Sequence, residues 1–476
     1  MNLSMNHIKI LFLSLLLLIG TGCEEELDLE PEQSLPTTEA LSDVKGLETA
    51  IRGAYSALRS LSYYGRNYYV IPEAASDNVL VALDNSGRFI NENRYILNAN
   101  STQGGFWNVA YNIIARVNNV LNNVDNIQDA RTDERNNLLV QGYFIRALVY
   151  HDLVRTFSQP WPKGNGSQLG VPIVLQTEIS TPPRNTLAEV YDQIIQDLNR
   201  CIEAADAISD PNEAWAPPFF ASKIAAQALL SRVYLYKQDY ANAEQAANQV
   251  INSDYQLVSN GSYLSYWNSE VFTDPGIGRL IEDIFLIKVL DVESNGADDL
   301  GLIYMDEGYG DLRPTQDILD LYSANDVRGR LIRTIRGDQY IYKFPGRQNF
   351  PGLTSPRILR LSEVVLNRAE ARARLGDFSG ALTDLNRIRA RAGIGNITPP
   401  NDRVLDEVLV ERRRELAFEG HRSFDIFRNE RDLVRQECNL PNERNCTVPY
   451  SSHLTAFPIP QTELNANPNM RQTEGY

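Results

Sequence analysis

The chain has 476 residues, with 61 acidic and 45 basic side chains and a formal charge of −16. That balance argues against a nucleic-acid partner, whose affinity comes largely from basic patches, and against a polybasic membrane-surface mode. Hydrophobic content of 43% and a mean hydropathy of −0.32 fit a globular chain with a large core, arranged as one big domain or two or three ordinary ones.

The first segment, residues 1–22, has one lysine, no acid and the apolar run "ILFLSLLLLI". Ten residues are too few to span a bilayer, and small residues follow at the exit, so the segment reads as a secretory signal peptide. The sequence "GTGC" ending at Cys23 resembles a bacterial lipobox, with Gly20 where a leucine is usual. Cys23 is therefore expected to be lipidated and to become the first residue; the alternative is an ordinary signal peptide with a cysteine nearby. Glu24, Glu25 and Glu26 resemble a surface-export signal. They also open an acidic, proline-containing tether over residues 23–40 that lacks apolar periodicity.

Most of the chain beyond residue 40 reads as helix. Leu47, Ile51, Ala54, Leu58 and Leu61 share one helical face, and Phe106, Val109, Ile113, Val117, Val120 and Val124 repeat the pattern. Further helices are predicted over 137–156, around 187–202, and over 222–237, 241–251, 359–375, 379–391 and 404–427. Between 254 and 356 the periodicity weakens, Gly, Asp and Pro cluster, and "IFLIKVL" (284–290) and "QYIYKF" (339–344) look like strands. The expected organisation is a helical region over 41–255 and a second region over 256–476. The second is loop-rich at 256–356, helical at 357–430 and irregular at 431–476, and both belong to one globular unit. "LYKQDYANAEQAANQVI" (235–251) aligns with "ARLGDFSGALTDLNRIR" (373–389) at a constant offset, and each resembles a tetratricopeptide helix pair. Their separation implies scattered, degenerate repeats, not a simple solenoid.

Chemistry-bearing motifs are sparse. Beyond the signal segment the histidines are His151, His421 and His453; none forms an HExxH pair, and no GxSxG, P-loop, GxGxxG or CxxC is present. An enzyme is not expected, nor a cofactor or a metal. A calcium site near Asp298 and Asp299 lacks EF-hand spacing. Cys201 sits in a helical pattern as a buried apolar residue. Cys438 and Cys446 bracket a turn-rich stretch and read as a local disulfide; a metal site is the weaker alternative.

Three stretches are more specific: "GYFIRALVYHDLVRTFSQPWP" (142–162), "RLSEVVLNRAEARARLGDFSGALTDLNRIRARAG" (360–393) followed by "ERRRELAFEGHRSFDIFRN" (411–429), and the ending "FPIPQTELNANPNMRQTEGY" (457–476). Together with "CEEELDLEP" they resemble the SusD/RagB family of Bacteroidetes outer-membrane lipoproteins. Ser423 and the final "QTEGY" depart from the usual residues. Their dense charges read as structural: Glu363, Arg368, Glu370, Glu411 to Glu415, Arg146 and Arg155 are expected in inter-helix ion pairs.

The resemblance implies an all-α fold of tetratricopeptide-like helix pairs in a right-handed repeat frame, with a loop-rich subdomain containing a few short strands. It implies a non-catalytic lipoprotein anchored at the outer-membrane surface through Cys23. Such a protein binds an oligosaccharide and closes over a SusC-like TonB-dependent transporter. The alternatives are peptide capture, as in the RagB branch, and a lid without ligand affinity of its own. Aromatic platforms with Asn and Arg on loops are the expected ligand chemistry, and Tyr64, Arg88, Phe89, Asn91, Trp161, Tyr304 and Tyr309 are the candidates. Tyr68, Tyr69 and Trp107 read as core.

Overall fold

The predicted apolar stripes become helices that stack in sequence order. A computed structural model describes residues 37–128, 130–268, 281–437 and 446–476. Helix α1 (Val44–Leu58) is capped by Asp43, whose carboxylate accepts from the Gly46 N–H, and buries Leu47, Ile51, Ala54 and Leu58. After the short α2 (Asn67–Ala74) come α3 (Gly104–Asn123), α4 (Thr132–Phe157), α5 (Leu187–Asp206), α6 (Lys223–Tyr236) and α7 (Tyr240–Ile251). Beyond the loop-rich region lie α8 (Leu361–Leu375), α9 (Phe378–Ala392), α10 (Val404–Leu416) and α11 (Arg422–Arg428). Helix α1 packs on α3, and from α3 to α10 each helix packs on the next. Helix α4 is buried almost all round from Asn137 to Phe157, as the centre of such a stack must be. One hydrophobic cluster runs from Leu47 to Met470.

The repeat is more regular than its spacing in sequence suggests. Asp239 caps α7 through the Asn242 N–H, and Asp377 caps α9 through the Gly380 N–H. Helix α7 packs directly against α8, so the pairs α6–α7 and α8–α9 are consecutive turns of one stack. Residues 252–360 are an insertion between them, which corrects the expectation of scattered repeats. Within the insertion β2 (Asp283–Leu286) pairs antiparallel with β6 (Arg357–Arg360), the strand that leads into α8. Arg372 then spans three helices, reaching Glu244 of α7 at 2.8 Å and Asp384 of α9 at 2.9 Å.

The charged motifs do form ion pairs. Arg232 meets Glu363 at 2.6 Å, Arg428 meets Glu370 at 2.6 Å, Arg368 meets Asp384 at 2.6 Å and Arg146 meets Asp197 at 2.7 Å. Arg155 differs from the expectation, pairing with Asp152 one turn back on its own helix. A buried network ties the insertion to α9 and α10: Arg360 contacts Glu282, Glu415 and Glu419, and Arg391 contacts Glu282 and Glu415.

The helix predicted over 404–427 is broken in two. Phe418 (φ 71°) and Gly420 (φ 77°) are left-handed, and remote groups hold the break open. Lys343 Nζ donates to the carbonyls of Glu415 and Ala417, while buried Glu73 accepts from the N–H groups of Gly420 and His421. A Cβ on Gly420 would lie 2.8 Å from the Tyr68 carbonyl oxygen, so a side chain is excluded there. The C-terminal segment returns across the first half: Phe457 N–H donates to Thr156 O, Gln461 N–H to Ala99 O, and Trp107 Nε1 to Glu463. No described helix is long and apolar enough to cross a membrane.

Candidate functional site

Two loops from distant parts of the chain meet where β1 (Val79–Val81) pairs antiparallel with β3 (Leu312–Pro314) of the insertion. The first loop, residues 82–95, is anchored from below. Asn93 Nδ2 donates to Ala74 O and the Tyr95 hydroxyl to Ala75 O, at the end of α2. Phe89 (φ 59°) and Tyr95 (φ 54°) bracket the short helix Ile90–Arg94 in left-handed conformations. Such strain is of order 1 kcal/mol or more per residue and persists where the surroundings hold it. The Ser86 N–H and hydroxyl both donate to Asp311, fixing this loop to the second one.

Arg88 is the centre of the junction. Its guanidinium carbon lies 3.8 Å over the ring of Tyr309, its Nη1 donates to Ser86 Oγ, and its Nη2 is 3.4 Å from Asp298. The same Asp298 binds Arg66, whose guanidinium lies 5.5 Å from the Phe89 ring. Arg88 keeps 31% of its side chain exposed, so the stack faces solvent. Tyr309 is followed by Gly310 (φ 54°), where a Cβ would press to 2.9 Å from the ring of Tyr340. Tyr340 belongs to the hairpin of β4 (Ile332–Ile335) and β5 (Asp338–Ile341). Arg313 stacks on Tyr340 at 4.7 Å and pairs with Asp84 at 2.9 Å and Asp338 at 3.0 Å. Beside it opens a groove of about 470 Å³, walled by Leu83, Asp84, Arg313, Asp338, Gln339 and Glu437, and Leu83 is 78% exposed there. The surface thus offers flat rings, an apolar side chain and arginine donors whose charges carboxylates already balance. That suits a neutral ligand with one flat apolar face and many hydroxyls.

The structure brings together Arg88 and Tyr309 of the expected residues, while Phe89 beside them is buried in the core cluster at 9% exposure, which corrects its assignment as a ligand platform. Asn91 is exposed on the short helix beside them. Trp161 is half-buried elsewhere, edge-on to Tyr191. Tyr64 and Tyr304 are core, which corrects their assignment as ligand platforms. Tyr64 is 2% exposed, stacks on Tyr63, and donates its hydroxyl to the Asp152 carboxylate. Tyr304 is fully buried against Phe344 and Phe418. Sequence reasoning missed Arg66, Leu83, Arg313 and Tyr340. The alternation of "QYIYKF" was a usable signal for Tyr340, since it puts that ring on one face of a strand.

Tyr68, Tyr69, Trp107 and Cys201 are buried as expected, and His151 is buried too. Burial, reinforced by Arg155 and Arg232, pushes the His151 imidazole well below its usual range and keeps it neutral; burial does the same to His421. Asp298 is engaged by two arginines, and no cluster of three or more metal-binding side chains occurs among the described residues. Cys446 is disulfide-bonded; Cys438, Cys23 and Glu24 to Glu26 lie outside the described residues.

A stack of helix pairs carrying partly exposed aromatic and arginine groups on an insertion and one facing loop defines a repeat-scaffold protein with a loop-borne surface. Residues 26–235 match the family model described as starch-binding associating with outer membrane, and residues 340–476 match that of the SusD family. A crystal structure from Bacteroides vulgatus ATCC 8482 superposes with a TM-score of 0.82 at 30% identity, covering 91% of this chain and 99% of that one. A SusD superfamily protein from Bacteroides thetaiotaomicron VPI-5482 gives 0.81 at 28%, covering 90% and 99%. SusD-like protein P2 of Formosa agariphila is 26% identical over 99% of this chain and 100% of its own length. The starch-binding protein SusD of Bacteroides thetaiotaomicron is 27% identical over 40% of this chain and 33% of its own length. The chain belongs to the SusD/RagB family, with the all-α, tetratricopeptide-like fold of that group.

Proposed function

We propose that this protein captures a neutral oligosaccharide at the cell surface and delivers it to a SusC-like TonB-dependent transporter in the outer membrane. The observation that carries this reading is the partly exposed Arg88–Tyr309 stack, held by Asp298 and Ser86. A sugar ring laid on such a surface buries its apolar face on an aromatic ring while arginine N–H groups orient its hydroxyls. The three arginines of the surface face three acids: Arg66 and Arg88 share Asp298, and Arg313 lies between Asp84 and Asp338. The local field therefore favours a neutral cargo over a charged one. Membership of a family described as starch-binding and outer-membrane associated supports the same class of ligand and location. In this reading Cys23 carries the lipid anchor, Glu24 to Glu26 direct surface export, and the protein has no catalytic role. An array of neutral oligosaccharides and short peptides, probed with the full chain in detergent, tests it. Binding confined to one glycan class supports the reading, whereas binding confined to peptides replaces it with peptide capture.

A further inference from the structure

A second cavity is built from elements that take no part in the loop surface. It lies at the C-terminal end of α4 and is lined by Arg155, Ser158, Trp161, Tyr191, Tyr236 and Arg428, among others. Its volume of about 30 Å³ has room for roughly two water-sized groups. Arg155, Ser158 and Tyr236 are 8%, 2% and 5% exposed. Arg155 Nη2 is taken by Asp152 and its guanidinium lies over the rings of Tyr68, Tyr236 and Phe424, but its Nε and Nη1, Ser158 Oγ and the Tyr236 hydroxyl have no hydrogen-bond partner. A buried donor left unpaired is costly, so four such groups around one small space call for an occupant rich in acceptors. Two arginines line the space and no described acid does, in a protein whose formal charge is −16. The Arg428 guanidinium is engaged behind the wall by Glu370 and Asp425.

The rim is Gln159, Pro160 and Trp161, all half-buried. Gln159 also borders a pocket of about 400 Å³ whose walls include Gln168, Ser451, His453 and Glu474. Lys237 Nζ stands 5.6 Å over the Trp161 ring, with its charge already paired to Asp192 at 2.8 Å. We propose that this is a carboxylate-binding site. The two carboxylate oxygens take the two water-sized positions and accept from Arg155, Ser158 and Tyr236, while the rest of the ligand passes Trp161 and Gln159 toward the larger pocket. The carboxylate comes either from a free monocarboxylate or from a sugar acid. The site stands independently of the loop surface and of the neutral cargo proposed for it.

The test titrates the full chain in detergent with sodium acetate, sodium glucuronate and glucose at fixed ionic strength, following binding by calorimetry and saturation-transfer NMR. Glucuronate is expected to bind and glucose not to. Ser158→Leu, which fills the cavity, is expected to weaken glucuronate at least tenfold and to leave any neutral oligosaccharide bound at the loops untouched. Acetate binding as tightly as glucuronate supports the site with a free carboxylate as its ligand; tighter glucuronate supports it with a sugar acid. Trp161→Ala, a change nearer the surface, covers the case in which Ser158→Leu does not fold, and is expected to weaken glucuronate more than acetate. Equal binding of glucose and glucuronate, no binding of either acid, or glucuronate binding unmoved by both substitutions would overturn the proposal.

Discussion

Arg88 lies 3.8 Å over the ring of Tyr309, although the two come from loops in opposite halves of the chain. The contact exists because β1 pairs with β3 and Ser86 bonds Asp311, which bring the first loop onto the insertion. A cation held over a ring at a partly exposed site contributes about 0.5–1 kcal/mol to stability, but a ligand that uses both groups loses more when either is removed. Arg88→Ala and Tyr309→Ala are each expected to weaken oligosaccharide binding about tenfold, or about 1.4 kcal/mol. Melting temperatures should stay near that of the parent protein. Calorimetry and a thermal melt on the same samples check both halves of this expectation.

Tyr64 should behave in the opposite way. Its hydroxyl and that of Tyr63 both donate to Asp152, which also holds Arg155. Tyr64→Phe removes one hydrogen bond to a buried charge, at a cost of about 1.5–3 kcal/mol. Asp152→Asn leaves Arg155 without its counter-charge and should cost about 3–5 kcal/mol. Urea unfolding measures both, and Tyr64→Phe should leave ligand affinity unchanged.

The pH dependence has two stages. His151 and His421 stay neutral in the fold, because burial holds them well below the usual imidazole range, while in the unfolded chain they titrate near about 6.5. Below that value the unfolded state binds more protons, so stability falls as the pH drops, by up to about 1.4 kcal/mol per pH unit for each histidine. A second loss belongs to Glu363, Glu370 and Asp425. Burial alone would raise these groups, but Arg232, Arg428 and Arg412 outweigh it and hold them below the usual range. Their contribution is present above about pH 4 and disappears as the pH falls through their lowered values. Glu73, raised by burial, offsets part of that loss. Neither ring nitrogen of His151 has a partner. His151→Leu should therefore raise stability at pH 7 by about 1–3 kcal/mol and flatten the profile between pH 6.5 and 5. Unfolding midpoints measured across that range would show no change if the histidine were protonated in the fold.

Gly420 makes a purely steric prediction. It needs φ 77° and space against the Tyr68 carbonyl. Gly420→Ala should destabilise the fold by more than the ~1 kcal/mol that such a change alters at a permissive site, because it also displaces the N–H groups that bind Glu73. Deletion of the Glu73 carboxylate in the Gly420→Ala background should then cost less than it does alone.

The helices were legible because an apolar stripe at 3.6-residue spacing is a local signal, as Leu47, Ile51, Ala54 and Leu58 show. The break at 417–421 was not, because it depends on Lys343 and Glu73, which lie far away in sequence. The same limit explains the site. "YYGRNYY" supplies tyrosines suited to a sugar or to a core, and the choice turns on Asp152, an acid two helices later. Arg88 and Phe89 were recognisable as loop residues, yet nothing local said that Asp298, Arg313 and Tyr340 would stand beside them. The aligned repeats were visible, but that α7 packs on α8 across the insertion is a tertiary fact.

Binding of a neutral oligosaccharide by the loop surface around Arg88 is tested most directly by isothermal titration. The full chain in detergent is titrated with maltoheptaose, xylohexaose and laminarihexaose, in parallel with Arg88→Ala. Saturable heat from one of these glycans is predicted, with a roughly tenfold weaker response from the substituted protein. Silence across a wide panel of neutral glycans, or a glycan response identical in the two proteins, would contradict it.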